Sequence, residues 1–173
     1  MTILAICGSL RPESSNMAIL KALSSWLPAQ VKYHIYDHIG KLPHFDPTLN
    51  HDTPPAEVNH FRQLITQSDG VIICSPEYAF GIPGSLKNAL DWTVSSGEFT
   101  DKPVAVITAS SSGEKAHEAL LTVMNVITGQ VPGSSTLLIP YIRTKIANGI
   151  ITDEETTTKL QAVITSLLHH MAA

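Results

Sequence analysis

Cysteine is scarce in this chain: of 173 residues, only Cys7 and Cys74 are cysteine. A pair so sparse is not the framework of a secreted disulfide scaffold. Both residues end apolar runs that read as neighbouring strands, so both are expected as reduced, buried thiols that behave as small hydrophobes. Charge is thin as well. Asp, Glu, Lys and Arg make up 15% of the sequence, against about 25% in an average domain. The net charge of -4 offers no electrostatic grip on nucleic acid or on an anionic membrane, and neither is expected as a partner. With so little charge, more apolar surface must be hidden in a core or against another subunit. No apolar stretch approaches the ~20 residues that span a bilayer. The first cation, Arg11, follows the first apolar run, the reverse of a signal peptide. A cytoplasmic protein is expected. A chain of this length buries about 70% of its unfolded surface, which suits one domain over residues 1–173 without metal or disulfide. The histidines are scattered, and His169-His170 has no Cys or carboxylate at ligand spacing, so no metal site is expected.

What is present is a rhythm of short apolar runs and helical patterns. Apolar runs cover residues 3–7, 31–36, 70–75, 103–109 and 135–140. The first, third and fourth are apolar on successive residues, the pattern of strands covered on both faces of a parallel sheet. Helical spacing covers residues 16–26, 55–67, 83–94, 114–128 and 153–170. Residues 38–54, with prolines at 43, 47 and 54, read as one long loop. Alternating strands and helices describe a doubly wound α/β fold. Five strands point to the flavodoxin-like three-layer sandwich, a five-stranded parallel sheet of order 2-1-3-4-5 with helices on both faces. Ligands of such sheets bind beyond the carboxyl ends of the strands, where the order reverses between strands one and three. Three loops meet there.

The first loop, Gly8-Ser9-Leu10-Arg11-Pro12-Glu13-Ser14-Ser15-Asn16, leaves a buried strand and opens a helix. Its hydroxyls, amide and guanidinium, at a helix start, are the groups that wrap a phosphate. The alternative, less favoured, is that Ser14 and Ser15 are ordinary caps and Arg11 a solvated charge. It is neither a Walker loop nor a Gly-x-Gly-x-x-Gly turn. The second loop, Pro76-Glu77-Tyr78-Ala79-Phe80-Gly81, followed by Ile82-Pro83-Gly84, is stiff and aromatic. It can lie along a flat ring, or be a turn whose aromatics cover the core. The third, Ala109-Ser110-Ser111-Ser112-Gly113, either completes the rim of a pocket or merely starts a helix. No Gly-x-Ser-x-Gly elbow of a serine hydrolase is present. Glu77 as a general acid and Lys87 as a nicotinamide-phosphate contact stand level with a structural hydrogen bond and a solvated charge.

Gly8-Ser9-Leu10-Arg11 with Ser14 and Asn16 resembles the Gly-Ser-x-Arg-x-x-Ser-x-Asn signature of the NADPH-dependent FMN reductase family. Pro76-Glu77-Tyr78, Gly81, Pro83-Gly84, Leu86-Lys87-Asn88-Ala89 and Asp91-Trp92 are similar to that family's second signature. The likeness runs from residue 2 to about 129. It implies FMN as cofactor, with its phosphate held by Ser9, Arg11, Ser14 and Asn16 and by the backbone of Ser15. Pro76, Glu77, Tyr78, Ala79, Phe80 and Gly81 would border one side of the isoalloxazine, and Ser110, Ser111 and Gly113 the other. It also implies NADPH or NADH as electron donor and a small-molecule acceptor such as a flavin or quinone. Redox chemistry carried by FMN leaves no protein residue with a catalytic assignment. A homodimer or homotetramer is implied, paired through the helix after residue 83. Many relatives carry Asn where this chain has Ala79, and their third loop is often richer in glycine. The alternative to an enzyme is a flavodoxin-type electron carrier. The Arg11-bearing loop and modest net charge favour the enzyme.

Overall fold

Residues 1–50, 53–127 and 129–173 are described by the computed structural model. Positions 51 and 52 of the expected 38–54 loop, and the last residue of the expected helix 114–128, lie outside the described residues. Three successive-apolar segments become β1 (Thr2–Cys7), β3 (Gly70–Ser75) and β4 (Val104–Ala109), whose side chains are buried almost throughout. Only a strand with helices on both sides can bury every residue, because successive side chains point to opposite faces. The outer strands are β2 (Lys32–Tyr36) and β5 (Thr136–Ile139), and their side chains are mostly half-buried or exposed. The sheet is parallel, with order β2-β1-β3-β4-β5, as expected.

Alternation along each strand splits the core in two. Leu4, Ile6, Val71, Ile73, Val104 and Val106 face α2 (Ala56–Thr66), α3 (Gly84–Asp91) and α4 (Glu114–Val126). Ile3, Ala5, Cys7, Ile72, Cys74, Ala105 and Ile107 face α1 (Ser15–Trp26) and α5 (Glu154–Met171). Each helix presents its apolar residues at three- and four-residue intervals, such as Leu160, Val163, Ile164 and Leu167 on α5. Among the described residues, two α-helices are capped by the side chain of their own N-cap residue. Ser14 accepts a hydrogen bond from Met17 N at the start of α1, and Asp153 from Thr156 N at the start of α5. Among the described residues, no helix is long and apolar enough to cross a membrane.

Two features differ from expectation. The segment from 38 onward is built as well as long. It contains 3-10 turns over Ile39–Lys41 and Pro47–Leu49, and buries Ile39 and Leu42. Phe45 meets Trp92 edge-on, with centroids 5.2 Å apart. Asn88 of α3 latches it: Oδ1 accepts Phe45 N at 2.7 Å and Nδ2 donates to Pro43 O at 3.0 Å. Trp92 Nε1 donates to the same carbonyl at 2.9 Å. Its partners lie far along the chain, so no local period announces the packing.

The second is a small antiparallel hairpin after β5, made by β6 (Ile146–Ala147) and β7 (Ile150–Ile151). Asn148 and Gly149 form its turn with φ of 52° and 76°. Asn-Gly between apolar pairs is a strong short-range hairpin signal. The expected five strands therefore form the main sheet, and this pair lies outside it.

If Asn88 holds the 43–50 segment, Asn88→Ala should leave the part-buried Phe45 N without its partner and Pro43 O with Trp92 Nε1 alone. A loss of about 1–3 kcal/mol is expected, with faster amide exchange centred on Phe45. Unchanged exchange there would show that the aromatic packing alone suffices.

Candidate functional site

Pairing of β1 with β3 puts Cys7 opposite Cys74, so the first and second loops leave the sheet at one level. Their approach is close. Gly8 N extends the ladder to Cys74 O at 2.8 Å. A Cβ on Gly8 would stand 3.0 Å from Ser75 Cα and 2.8 Å from its Oγ. Only glycine fits there without displacing backbone. The crevice above is a cavity of about 250 Å³ at the carboxyl edge of the sheet, where strand order reverses.

Most of the expected residues meet in it. The first loop contributes Ser9, Arg11, Ser14, Ser15 and Asn16, the second Pro76, Glu77 and Tyr78, and the third Ser110 and Ser111. Ala79, Phe80, Gly81 and Gly113 stand outside the cavity lining. Ala109, at the head of the third loop, lines it too, and Ile142 and Arg143 line it without having been anticipated. Ile142 and Arg143 follow β5 on a 3-10 turn, and their sequence context, Tyr-Ile-Arg-Thr, carries no motif.

The donor set suits an anion. Ser14 Oγ accepts Met17 N at 3.1 Å and Ser9 Oγ accepts Arg11 N at 3.3 Å. A hydroxyl that accepts keeps its proton to donate, so capping and ligand binding are compatible. By position, the amides of Ser15 and Asn16 in the first helical turn have no intrahelical acceptor, and the helix dipole adds partial positive charge. Asn16 also has a structural task. Buried at 3% exposure, it donates from Nδ2 to Ala109 O at 3.3 Å and accepts from Cys74 Sγ at 3.3 Å. It thereby ties the start of α1 to the ends of β3 and β4. Burial pushes the thiols of Cys7 and Cys74 above the ordinary cysteine range, Cys74 the more strongly. They stay protonated and unreactive.

Glu77 joins the other two loops. Oε1 accepts Gly113 N at 3.2 Å and Oε2 accepts Ala116 N at 3.0 Å. One carboxylate so satisfies two amides at the start of α4, where Gly113 at the cap position has φ of 103° and no side chain to offer. Both oxygens being engaged, the geometry favours the structural reading of Glu77 over a general acid. Beneath the third loop, Thr108 Oγ1 lies 2.9 Å from His117 Nδ1, and burial holds that imidazole below its ordinary range. Lys87 pairs with Asp91 one turn along α3 at 2.6 Å, which accounts for its charge without a ligand.

The second loop is a two-residue hairpin turn. Tyr78 N donates to Gly81 O at 3.1 Å and Gly81 N to Tyr78 O at 3.0 Å. Ala79 and Phe80 both take positive φ, 48° and 59°. That is a type I′ turn, whose central positions favour Asn and Gly, built here without either. Tyr78 is 51% and Phe80 79% exposed, so neither aromatic covers the core.

Comparison with known proteins adds the following. The model of a family described as NADPH-dependent FMN reductase matches residues 1–144. Among curated proteins, the chain is similar to a subunit of an NADH:(hydroxy)cinnamate reductase of Vibrio ruber. The two are 39% identical over 123 residues, or 68% of this chain and 60% of that protein. It is also similar to a quinone reductase of Escherichia coli strain K12, 33% identical over 113 residues, 64% of this chain and 60% of the other. The chain thus spans about three-fifths of the length of these relatives. Among solved structures, a flavoenzyme NAD(P)H:(acceptor) oxidoreductase from Paracoccus denitrificans matches with a TM-score of 0.86 at 29% identity, covering 99% of this chain and 97% of that one.

The turn geometry bears on which residue suits position 79. A non-glycine residue in the left-handed region costs about 1–2 kcal/mol, and Asn adopts that region more readily than Ala. Ala79→Asn is therefore expected to raise stability by up to about 1 kcal/mol, or Tm by about 2–4 °C. A lower Tm in calorimetry would mean that the turn relaxes out of the type I′ form in solution.

Proposed function

The chain belongs to the NADPH-dependent FMN reductase family, and from that premise we propose that it is an NAD(P)H-dependent, FMN-containing oxidoreductase. Its reaction would be the two-electron reduction of flavin, quinone or a similar small acceptor, with residues 1–173 acting as one FMN-binding domain in the cytoplasm. The observation that carries this reading is the switch-point cavity itself. It has hydroxyl, amide and guanidinium donors at the start of α1 on one side, and the Pro76–Tyr78 and Ser110–Ser111 walls on the other. That donor set fits FMN, whose phosphate needs anion donors and whose flat ring needs walls.

Bound FMN would supply the redox chemistry between a nicotinamide donor and the acceptor. The chain's own residues bind, orient and shield. Ser9, Arg11, Ser14 and the amides of Ser15 and Asn16 would hold the phosphate. Pro76, Glu77 and Tyr78 on one side, and Ser110, Ser111 and Gly113 on the other, would set the width of the cleft for the ring. The carboxylate of Glu77 would maintain that width by tying the second loop to the Gly113 and Ala116 amides. Ala79, Phe80 and Gly81 form the outer turn of the same wall. Tyr78 and Phe80, exposed at the turn beside the mouth, are placed to shield a ring or to meet another subunit.

Purified protein should bind FMN, turn yellow, and bleach anaerobically with NADPH or NADH. Arg11→Ala should weaken FMN binding roughly ten- to hundredfold, the worth of a hydrogen bond to a charged group. Absence of flavin binding by the wild type would overturn the reading. A bound flavin reduced only through a partner protein would instead make the chain an electron carrier.

The low charge content and the exposed Phe80, Tyr78 and Val94, at 79%, 51% and 54%, support a homodimer or homotetramer that pairs around α3. Sedimentation should give a dimer or larger, and Phe80→Glu should shift it towards monomer. A wild-type monomer at micromolar concentration would refute the assembly.

A further inference from the structure

Three charged residues line the switch-point cavity: Arg11, Glu77 and Arg143. Glu77 is directed at the start of α4, with one oxygen on Gly113 N and the other on Ala116 N. The two arginines have neither an ion pair nor a side-chain hydrogen bond among the described residues, whereas several other cations, though not Lys21, Lys32 or Lys41, are engaged. Arg62 donates to Trp92 O, Lys145 stands 3.9 Å from Asp153, and Lys159 pairs with Glu155 at 2.6 Å. The cavity therefore has two guanidiniums on its walls and one carboxylate already occupied with helix amides.

The backbone beneath Arg143 is firmly set. Ser110 N donates to Ile139 O at 3.2 Å, Tyr141 N to Ser111 O at 3.1 Å, and Ile142 N to Ser110 O at 3.1 Å. These bonds fasten the turn after β5 to the third loop. Ile142, at 3% exposure, is buried in the core shared with α1 and α5. From the other side Lys145 N donates to Ile142 O at 3.1 Å, and Thr152 N to Lys145 O at 2.9 Å, tying the turn to the β6–β7 hairpin. An arginine on so fixed a base loses less freedom when it engages a ligand than one on a loose loop.

Two like charges around one small cavity repel each other until an anion enters. A phosphate monoester carries between one and two negative charges near neutral pH, and its oxygens accept the paired donors of a guanidinium. We propose that Arg143 is a second phosphate clamp, closing on the FMN phosphate from the β5 side while Arg11 holds it from the β1 side. This rests on the FMN reading above. Its consequence is selectivity. The site is charged for the phosphorylated flavin, so riboflavin, which has the same ring and no phosphate, gains nothing from Arg143.

The test is titration of flavin-free protein with FMN and with riboflavin, followed by flavin fluorescence, at low salt and at high salt. Arg143→Gln should weaken FMN by about tenfold or more, change riboflavin binding less than about twofold, and reduce the salt dependence of FMN affinity. Arg143→Lys, which keeps the charge but loses the fork, should fall between. If Arg143→Gln fails to fold, the Arg143→Lys comparison of FMN against riboflavin decides. Unchanged FMN affinity would overturn the clamp, including the case in which the variant alters only discrimination between NADPH and NADH. An equal loss for FMN and riboflavin would also overturn it, since that marks a structural role. A wild type that binds neither flavin would overturn the FMN reading and this proposal together, whereas normal wild-type binding with an indifferent variant removes only the proposal.

Discussion

Parallel pairing of β1 with β3, which sets Cys7 opposite Cys74, is the constraint from which the candidate site follows. It brings the first two loops out of the sheet side by side. The chain after β1 turns to the α1/α5 face and the chain after β3 to the α3/α4 face, so a crevice is left between them. Gly8 makes the approach possible, because any Cβ would meet Ser75. Asn16 then spans the crevice floor to Ala109 O and Cys74 Sγ. Position of the cavity, height of the donors and orientation of α1 all depend on this one register.

Around that seam, charge is handled economically. A chain with 15% charged residues has few to place, and most of those in the structure are tied up. Glu77 caps α4, Lys87 meets Asp91, and Arg62 closes the 92–98 turn through Trp92 O and Glu98. The capping by Glu77 has an electrostatic effect as well as a structural one. With a carboxylate at its amides, the α4 start is no longer a free anion site, and the start of α1 is left as the attractive one. The same carboxylate couples the two loops that would flank a ring, so a change in one is passed to the other. The strained Ala79-Phe80 turn sits at the outer end of this coupled pair. Strain of that kind persists only where surrounding structure holds it, here the paired backbone bonds between Tyr78 and Gly81.

How far the sequence could be read depended on the range of each interaction. β1, β3 and β4 were legible because burial on both faces writes an unbroken apolar run. The first loop was legible as a cluster of anion donors because those groups lie within eight positions of Gly8. Ser14 turned out to be a cap that also lines the cavity. The β6–β7 hairpin was locally written in Asn148-Gly149, though its strands of two residues are too short for a periodic signal. The role of Glu77 was hidden, since its partners, Gly113 N and Ala116 N, are backbone groups that look alike in every sequence. Arg143 was hidden for another reason. It sits in no motif, and only the β4–β5 register and the bonds from Ser110 and Ser111 bring it to the cavity.

By itself, then, the amino-acid sequence determined the layers, the strand order to be expected and the edge of the sheet where a ligand belongs. Those depend on side-chain burial and on short-range turn chemistry, which are local properties of a chain. Tertiary structure decided which polar groups were left over. Asn16 became a cross-tie, Glu77 a cap for a helix on another loop, and Arg11 and Arg143 two cations lining one cavity without a partner among the described residues. A hydrogen bond or an ion pair commits a group only once its partner is in place, and here the partners come from loops far apart in the chain. Chemistry at the site is therefore a remainder, what the fold did not use, and it can be counted only after the fold has formed.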